Sequence, residues 1–337
     1  NMGKINIGII GAGRIGRLHA KSISYHIPGA KVLGITDIIK DGLSDFAEEL
    51  GIEKVYENHE ELLDDPLIDA VLICSSTDTH ADIAVKAAQK GKHIFCEKPV
   101  DLTPEKVLQV GEAVEKNNVF FQVGFNRRFD HNFAHIKNLV QAGEIGDVHV
   151  IKITSRDPAP PPAEYSAVSG GMFLDMTIHD FDMARFLADS EIVEVFANAT
   201  CLVDPAIGEA GDVDTAVISL KFANGAIGVI DNSRQAAYGY DQRVEVFGSK
   251  GAAVAENDKP TNVSLWNADN ISSDKPLYFF LERYMQSFVD EMTQFMEAIS
   301  KNTTSPVGIK DGLNSLLVAL AAKESSKSGK PIVINYD

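Results

Sequence analysis

The segment KINIGIIGAGRIG, residues 4–16, constrains this chain more than any other. An apolar run suited to a buried strand passes into Gly11, Gly13 and Gly16, spaced G-x-G-x-x-G, and the helical pattern RIGRLHAKSISYH follows. Glycines so spaced let the backbone turn tightly and approach a pyrophosphate at a helix N-terminus, where unpaired N–H groups and the helix dipole favour an anion. The spacing alone is a weak signal, but strand–turn–helix is the setting that dinucleotide binding needs. Arg14 and Ile15 open the helix and join the glycines as expected cofactor contacts. A second strand, AKVLGITD, ends in Asp37. A carboxylate there binds the ribose hydroxyls of NAD and repels the 2′-phosphate of NADP. Ile38 and Ile39 follow it and offer no arginine to a phosphate, so NAD is the expected cofactor.

Strand and helix patterns alternate to about residue 125, through IDAVLICSS, KHIFCEKP and NVFFQVGF, which predicts a parallel, doubly wound sheet. Ligands of such sheets bind at the carboxyl edge of the strands. Two stretches fall there. CSSTDTH offers Ser75, Ser76, Thr77 and His80, although Thr77 or Asp78 could equally cap the next helix. CEKPV offers Glu97 and Lys98; a lysine at that edge can hold a hydroxyl or alkoxide oxygen, and a surface ion pair is the plain alternative. Thr103 and Pro104 mark a further helix start.

Beyond residue 126 the chain becomes rich in extended segments. The dipeptide Asn224-Gly225 between apolar runs signals a hairpin, and short turns predict an antiparallel sheet with a helical tail from about 284 to 326. The expected domains are 1–125, a nucleotide-binding α/β unit, and 126–337, an α+β unit. Within the latter, GGMFLDMTIHDFDMARFL places acids and a histidine in an apolar helix. At about 100° per residue, Met172, Met176, Met183 and Phe186 fall within about 60° of His179, and Asp175 lies about 40° away. The projection predicts an inward-facing Asp–His pair, either catalytic or a core histidine satisfied by its neighbouring carboxylate. Asp182 shares that side of the helix, but no cysteine or second histidine completes a zinc set, so no metal is expected.

GIIGAGRIG, Asp37, CEKP and MFLDMTIHDFD, in this order, resemble the oxidoreductase family of glucose–fructose oxidoreductase and inositol dehydrogenase. The resemblance covers nearly the whole chain. It implies a Rossmann domain followed by an α+β domain with a large open, mainly antiparallel sheet, often assembled as a dimer or tetramer. It implies catalytic roles for Lys98, Asp175 and His179, with a Lys98–Pro99 bond that is often cis. GFNRRFD, SRDP and AYGYDQRVEVFGSKG are similar to the inositol dehydrogenases and imply substrate contacts by Arg127, Asp157 and Tyr238. The implied reaction is NAD-dependent oxidation of a ring hydroxyl of a cyclic polyol, myo-inositol first. Another inositol isomer or a pyranose is the nearer alternative; an NAD-assisted glycosidase and a non-catalytic NAD-binding regulator are the further ones.

Composition narrows the partners. Lys plus Arg number 31 against 48 Asp plus Glu, a formal charge of −17, which repels nucleic acid and mildly favours a neutral substrate. No apolar run is long enough for a membrane span, and the chain begins without a signal-peptide pattern. Three cysteines without metal-ligand spacing suit a reducing cytoplasm.

Overall fold

The computed structural model describes residues 3–337, which divide into two compact units. The first comprises residues up to Asn126 together with Gln286–Leu316; the second comprises Arg127–Met285 and Leu317–Asp337. The chain therefore returns to its first unit late, where the sequence pattern predicts one uninterrupted second domain.

The first unit contains β1 (Ile5–Ile10), α1 (Arg14–His26), β2 (Ala30–Thr36), α2 (Leu43–Leu50), β3 (Lys54–Val55), α3 (His59–Asp64), β4 (Ala70–Ile73), α4 (His80–Gln89), β5 (His93–Cys96), α5 (Pro104–Lys116) and β6 (Phe121–Val123). Its strands form one parallel sheet in the order β3-β2-β1-β4-β5-β6. The order reverses beside β1, so the carboxyl ends of β1 and β4 flank the crevice where ligands bind in such sheets. β4 is apolar throughout, and β1 is so apart from Asn6, because helices cover both faces of a parallel sheet. The core joins Ile7, Ile9 and Phe95 to Met292, Phe295 and Met296 from the returning helical segment. α5 starts at Pro104 as expected, but the Thr103 side chain makes no capping bond to the helix: its hydroxyl donates to Asp101 at 3.0 Å, and Asp101 also accepts the Thr103 N–H at 2.9 Å.

The second unit adds α6 (His131–Gln141), β7 (Val148–Arg156), α7 (Ala163–Ser169), α8 (Ile178–Ala188), β8 (Ile192–Thr200), α9 (Pro205–Glu209), β9 (Thr215–Phe222), β10 (Ile227–Ser233), β11 (Asp241–Gly248), β12 (Gly251–Ala255), β13 (Ser264–Trp266), β14 (Ile271–Ser273) and α10 (Phe280–Arg283). α11 (Met285–Lys301) follows, then α12 (Ile309–Ser328) and β15 (Ile332–Val333). Its main sheet runs β12-β11-β7-β10-β9-β8-β15. β9 and β10 form the hairpin announced by Asn224-Gly225, with Gly225 at φ +91°. The sheet is mixed rather than wholly antiparallel: β10, its central strand, pairs in parallel with β7. Segment 264–266 leaves this sheet and pairs only with β14 in a small exposed hairpin. Along β9 and β10, buried and accessible residues alternate, so one face is covered and the other open. Val217, Ile227, Phe247 and Val254 are exposed apolar residues of the open face.

The Asp–His helix departs from its simple projection. Phe173–Thr177 is a π-helical turn, wider than an α-turn, that leads into α8. Across it the angle per residue falls, and the expected single inward stripe dissolves. Met172, Phe173, Leu174, Met176, Thr177 and Ile178 are all buried, whereas Asp175 and His179 are the partly accessible positions. The acids that are fully inside are Asp180 and Asp182.

Candidate active site

In the first unit, Gly11 has φ +98°, and a Cβ there would stand 2.4 Å from the Ser75 nitrogen. A Cβ on Gly16 would stand 2.0 Å from the Gly11 carbonyl oxygen. Both positions need glycine: one for a left-handed turn and close strand contact, the other for close approach of helix and turn. A Cβ on Gly13 would meet nothing within 4 Å. The turn therefore has a closed side and an open side, and the open side lies at the N-terminus of α1, where a pyrophosphate is stabilised. The Asp37 carboxylate accepts the Ala12 N–H at 2.5 Å and the Ile39 N–H at 2.7 Å, which fixes it beside this turn. Ile38 is 95% exposed and brings no positive charge. Arg17, absent from the expected set, donates to the Ala12 carbonyl at 2.9 Å and braces the turn.

At the end of β4, the Ser75 hydroxyl is 2.7 Å from that of Thr79, and neither helix start here is capped by a side chain. Ser76 is exposed and Thr77 partly so. His80 is placed differently from the expectation of a cofactor contact. It is buried, with Nδ1 2.8 Å from the Pro99 carbonyl and Nε2 2.8 Å from the Ser75 carbonyl. Its ring ties the Ser75 turn to the EKP turn instead of reaching a ligand. Glu97 faces His19 at 2.7 Å, and Lys98, partly exposed, precedes a cis peptide bond to Pro99.

In the second unit, Asp175 is the centre of a polar cluster. Tyr165 of α7 donates to one of its oxygens at 2.8 Å, and Arg234 donates to the other at 3.1 Å. Arg234 also reaches Asp157 at 3.3 Å. Burial pushes the Asp157 carboxyl up to about 6, with the Arg234 charge opposing. Burial and the Asp175 charge hold the Tyr165 phenol above its ordinary range, so it acts as a donor. Asp157, Asp175 and the partly accessible His179 thus belong to one unit, with Arg234 bridging the two acids.

A buried network adjoins them. Arg127 donates to Asp180 at 3.1 Å and to the Tyr240 hydroxyl at 3.3 Å. Asn232 donates to the other Asp180 oxygen at 3.0 Å and accepts from Thr177 of the π-turn at 2.6 Å. Burial raises the Asp180 carboxyl and Arg127 opposes the rise. Arg127 therefore differs from the expected substrate contact: its guanidinium is buried and supports the π-turn through Asp180 and Asn232. Tyr238 differs too. Its hydroxyl donates to Asp241 and accepts from Arg156, outside the Asp175 cluster. Asp182 accepts both N–H edges of Arg128, at 2.8 and 2.7 Å, so that acid serves the fold. Among the described residues, no group of three or more His, Cys, Asp and Glu could hold a metal ion.

Arg234 and Tyr165 are the residues missed by sequence reasoning. Arg234 left a signal: Ile230, Asn232 and Arg234 share a parity, and polar residues at inward strand positions imply buried partners. Tyr165 ends the Pro-rich segment 157–165, which resembles a substrate-side loop, but it lies in the first turn of α7 and showed no such parity.

A two-domain scaffold with a dinucleotide turn and a polar cluster of acids, arginine and histidine defines an oxidoreductase class. Comparison with known proteins agrees. Residues 5–125 match the oxidoreductase family with NAD-binding Rossmann fold, and residues 133–254 match the GFO/IDH/MocA C-terminal domain. The myo-inositol 2-dehydrogenase of Thermotoga maritima is 49% identical over 97% of this chain and 98% of its own length. The structure of a myo-inositol dehydrogenase from Corynebacterium glutamicum superposes with a TM-score of 0.93 at 38% identity, covering 99% of this chain and 100% of that one. A scyllo-inositol dehydrogenase from Lactobacillus casei, with bound NAD(H) and scyllo-inositol, superposes with a TM-score of 0.92 at 33% identity over 98% and 99% of the two chains. The chain belongs to the GFO/IDH/MocA family of NAD-binding oxidoreductases.

Proposed function

We propose that this protein oxidises a secondary ring hydroxyl of a cyclic polyol, converting myo-inositol to 2-keto-myo-inositol (scyllo-inosose) as NAD becomes NADH. One observation carries the reading: between Met172 and Arg185 the helical segment is buried except at Asp175 and His179, which stay partly accessible, and Asp175 is held by two donors, Tyr165 and Arg234. The relatives named above supply the substrate class. His179 acts as general base and takes the hydroxyl proton, a role suited to a group that titrates near neutrality in its unperturbed form. Lys98 steadies the oxygen as negative charge grows on it. Asp175 accepts from a neighbouring substrate hydroxyl, and Asp157 offers a second acceptor on the far side of Arg234. A polyol needs several hydroxyls satisfied at once, which favours such an array. Bound NAD supplies the acceptor for the hydride that leaves the ring carbon. Gly11, Gly13, Arg14, Ile15 and Gly16 form its pyrophosphate turn, Asp37 takes the ribose hydroxyls, and Ser75, Ser76, Thr77 and Glu97 border it.

The test is a panel of neutral polyols with NAD and with NADP, read as absorbance of the reduced cofactor. Fastest turnover on myo-inositol with NAD supports the reading. Preference for scyllo-inositol, the ligand of the Lactobacillus casei enzyme, corrects the isomer. No net NADH from any cyclic polyol overturns it.

The same reading includes assembly and location. The open face of the second unit's sheet carries Val217, Ile227, Phe247 and Val254, and an apolar face of this kind is an association site. A symmetric homo-oligomer, a tetramer, covers it. Light scattering that returns 36.5 kDa at micromolar concentration contradicts this. Three free cysteines are consistent with a cytoplasmic protein. No described helix is long and apolar enough to cross a membrane.

A further inference from the structure

Four buried polar atoms collect behind the EKP turn without a hydrogen-bond partner among the described residues: His19 Nδ1, Gln122 Oε1 and both carboxyl oxygens of Glu291. His19, Gln122 and Glu291 are each 0% exposed. They belong to one neighbourhood of the first unit. The Gln122 amide donates to the main-chain carbonyl of Glu291 at 3.2 Å. The His19 ring stacks edge-on against Phe288, one turn before Glu291, with centroids 5.9 Å apart. His19 Nε2 meets Glu97 at 2.7 Å, and the Glu97 charge bears on Glu291. A Cβ on Gly124 would lie 2.5 Å from the other Glu97 oxygen, so Glu97 is seated against bare backbone. Cys74 and Cys96, both buried, complete the surroundings.

A buried carboxylate without a donor is costly, and two carboxylates in one apolar neighbourhood do not both ionise. Glu97 has His19; Glu291 has no cation within reach of a salt bridge among the described residues. The proton therefore stays on Glu291. A neutral acid still has one hydrogen to donate and oxygens to satisfy, while Gln122 lacks a donor and His19 Nδ1 lacks a partner. An enclosed water gives and accepts in this way, and buried waters characteristically serve about three otherwise unsatisfied groups.

We propose that Glu291 is a neutral carboxylic acid that shares an enclosed water with Gln122 and His19, and that this cluster is the rear support of Glu97, positioning the Lys98 that follows it. Its consequence for turnover rests on the catalytic reading of Lys98 given above; its consequence for stability does not. Burial, and then the Glu97 charge, hold the Glu291 carboxyl well above its ordinary value. In sign, the folded state keeps a proton that the unfolded chain releases, so stability from this group is full at low pH and is lost as pH rises above the unfolded carboxyl value.

Three measurements test the proposal. First, melting temperatures of wild type and Glu291→Gln are compared from pH 5 to pH 9. The amide imitates the neutral acid, so the variant gains on wild type steadily as pH rises; parallel curves overturn the neutral acid. Second, steady-state kinetics with the polyol panel compare Glu291→Gln with Glu291→Leu. The leucine variant loses turnover on the order of tenfold to a hundredfold, the scale of a displaced catalytic group, with NAD affinity retained. The glutamine variant recovers most of that loss. If the leucine variant melts lower yet turns over like wild type, the cluster is structural only and the positioning role is wrong. Third, a high-resolution crystal structure shows water density within hydrogen-bond distance of the Glu291 carboxyl; a dry cluster refutes the shared water. If no polyol is oxidised by wild type, the function fails, while the pH-dependent melting still decides the state of Glu291.

Discussion

The guanidinium of Arg234 holds the Asp175 carboxylate at 3.1 Å and, through a second nitrogen, lies 3.3 Å from Asp157. Residues far apart in the chain are thereby locked into one acceptor array bridged by one guanidinium. The fork shape matters, because a lysine is a point charge and cannot present two parallel edges. Arg234→Lys should fold and should lose about 10- to 100-fold in kcat/KM for the polyol, the equivalent of one charge-assisted bond of about 1.5–3 kcal/mol. NAD affinity should stay unchanged. Initial-rate kinetics of the variant decide this, and wild-type kcat/KM contradicts the role of the bridge.

The Asp157 carboxyl, pushed up to about 6 by burial, makes a stability prediction. Its unfolded value is near the ordinary carboxylate range, so between about pH 4 and pH 6 the folded protein holds a proton that the unfolded chain has released. Stability from this group is therefore present below that window and lost on rising through it. Asp157→Asn cannot titrate. Its unfolding free energy relative to wild type should rise by on the order of 2–3 kcal/mol from pH 4 to pH 7 and then level off. Urea unfolding at a series of pH values measures the difference; a flat difference shows that folding leaves the Asp157 carboxyl unshifted.

Much of the fold was written locally. The glycine turn, Thr103-Pro104 and Asn224-Gly225 each act within a few residues, so each could be read without knowing its surroundings. The π-turn could not. Its apolar residues satisfy an α-helical projection equally well, and the difference lies in backbone hydrogen bonds held by the Thr177–Asn232–Asp180 chain. The return of Gln286–Leu316 to the first unit was equally hidden, because Phe295 and Met296 mark an apolar face without saying which core it enters. Arg127 and Tyr238 were legible as polar residues in the right segments. Their distant partners, Asp180 for Arg127 and Arg156 for Tyr238, lie 53 and 82 residues away, and pairing across such distances is not a property of either segment.

Asp37 governs cofactor choice. Its carboxylate is fixed by two backbone N–H groups beside the glycine turn, and the next side chain, Ile38, points into solvent. Asp37→Ser combined with Ile38→Arg removes the repulsion and adds a cation, so the ratio of kcat/KM for NAD over NADP should fall by at least about tenfold, one 1.4 kcal/mol step. Better use of NADP than NAD by wild type means that Asp37 does not read the ribose.

His179 is where the chemistry is tested most directly. It follows the π-turn on the partly accessible side of a helix whose other neighbours are buried. If it is the general base, turnover at saturating polyol and NAD should show an acid limb that rises with pH, because only the unprotonated ring can accept the hydroxyl proton. His179→Ala should remove that limb and lower kcat by about 10²- to 10⁴-fold, the usual contribution of a positioned base. The glycine turn and Asp37 are untouched by the substitution, so NAD titration should give an affinity close to wild type. Imidazole added to the variant should restore part of the rate, since a free base can enter the space left by the ring. A folded His179→Ala protein with wild-type turnover and an unchanged pH profile would leave the histidine a packing residue and move the base elsewhere.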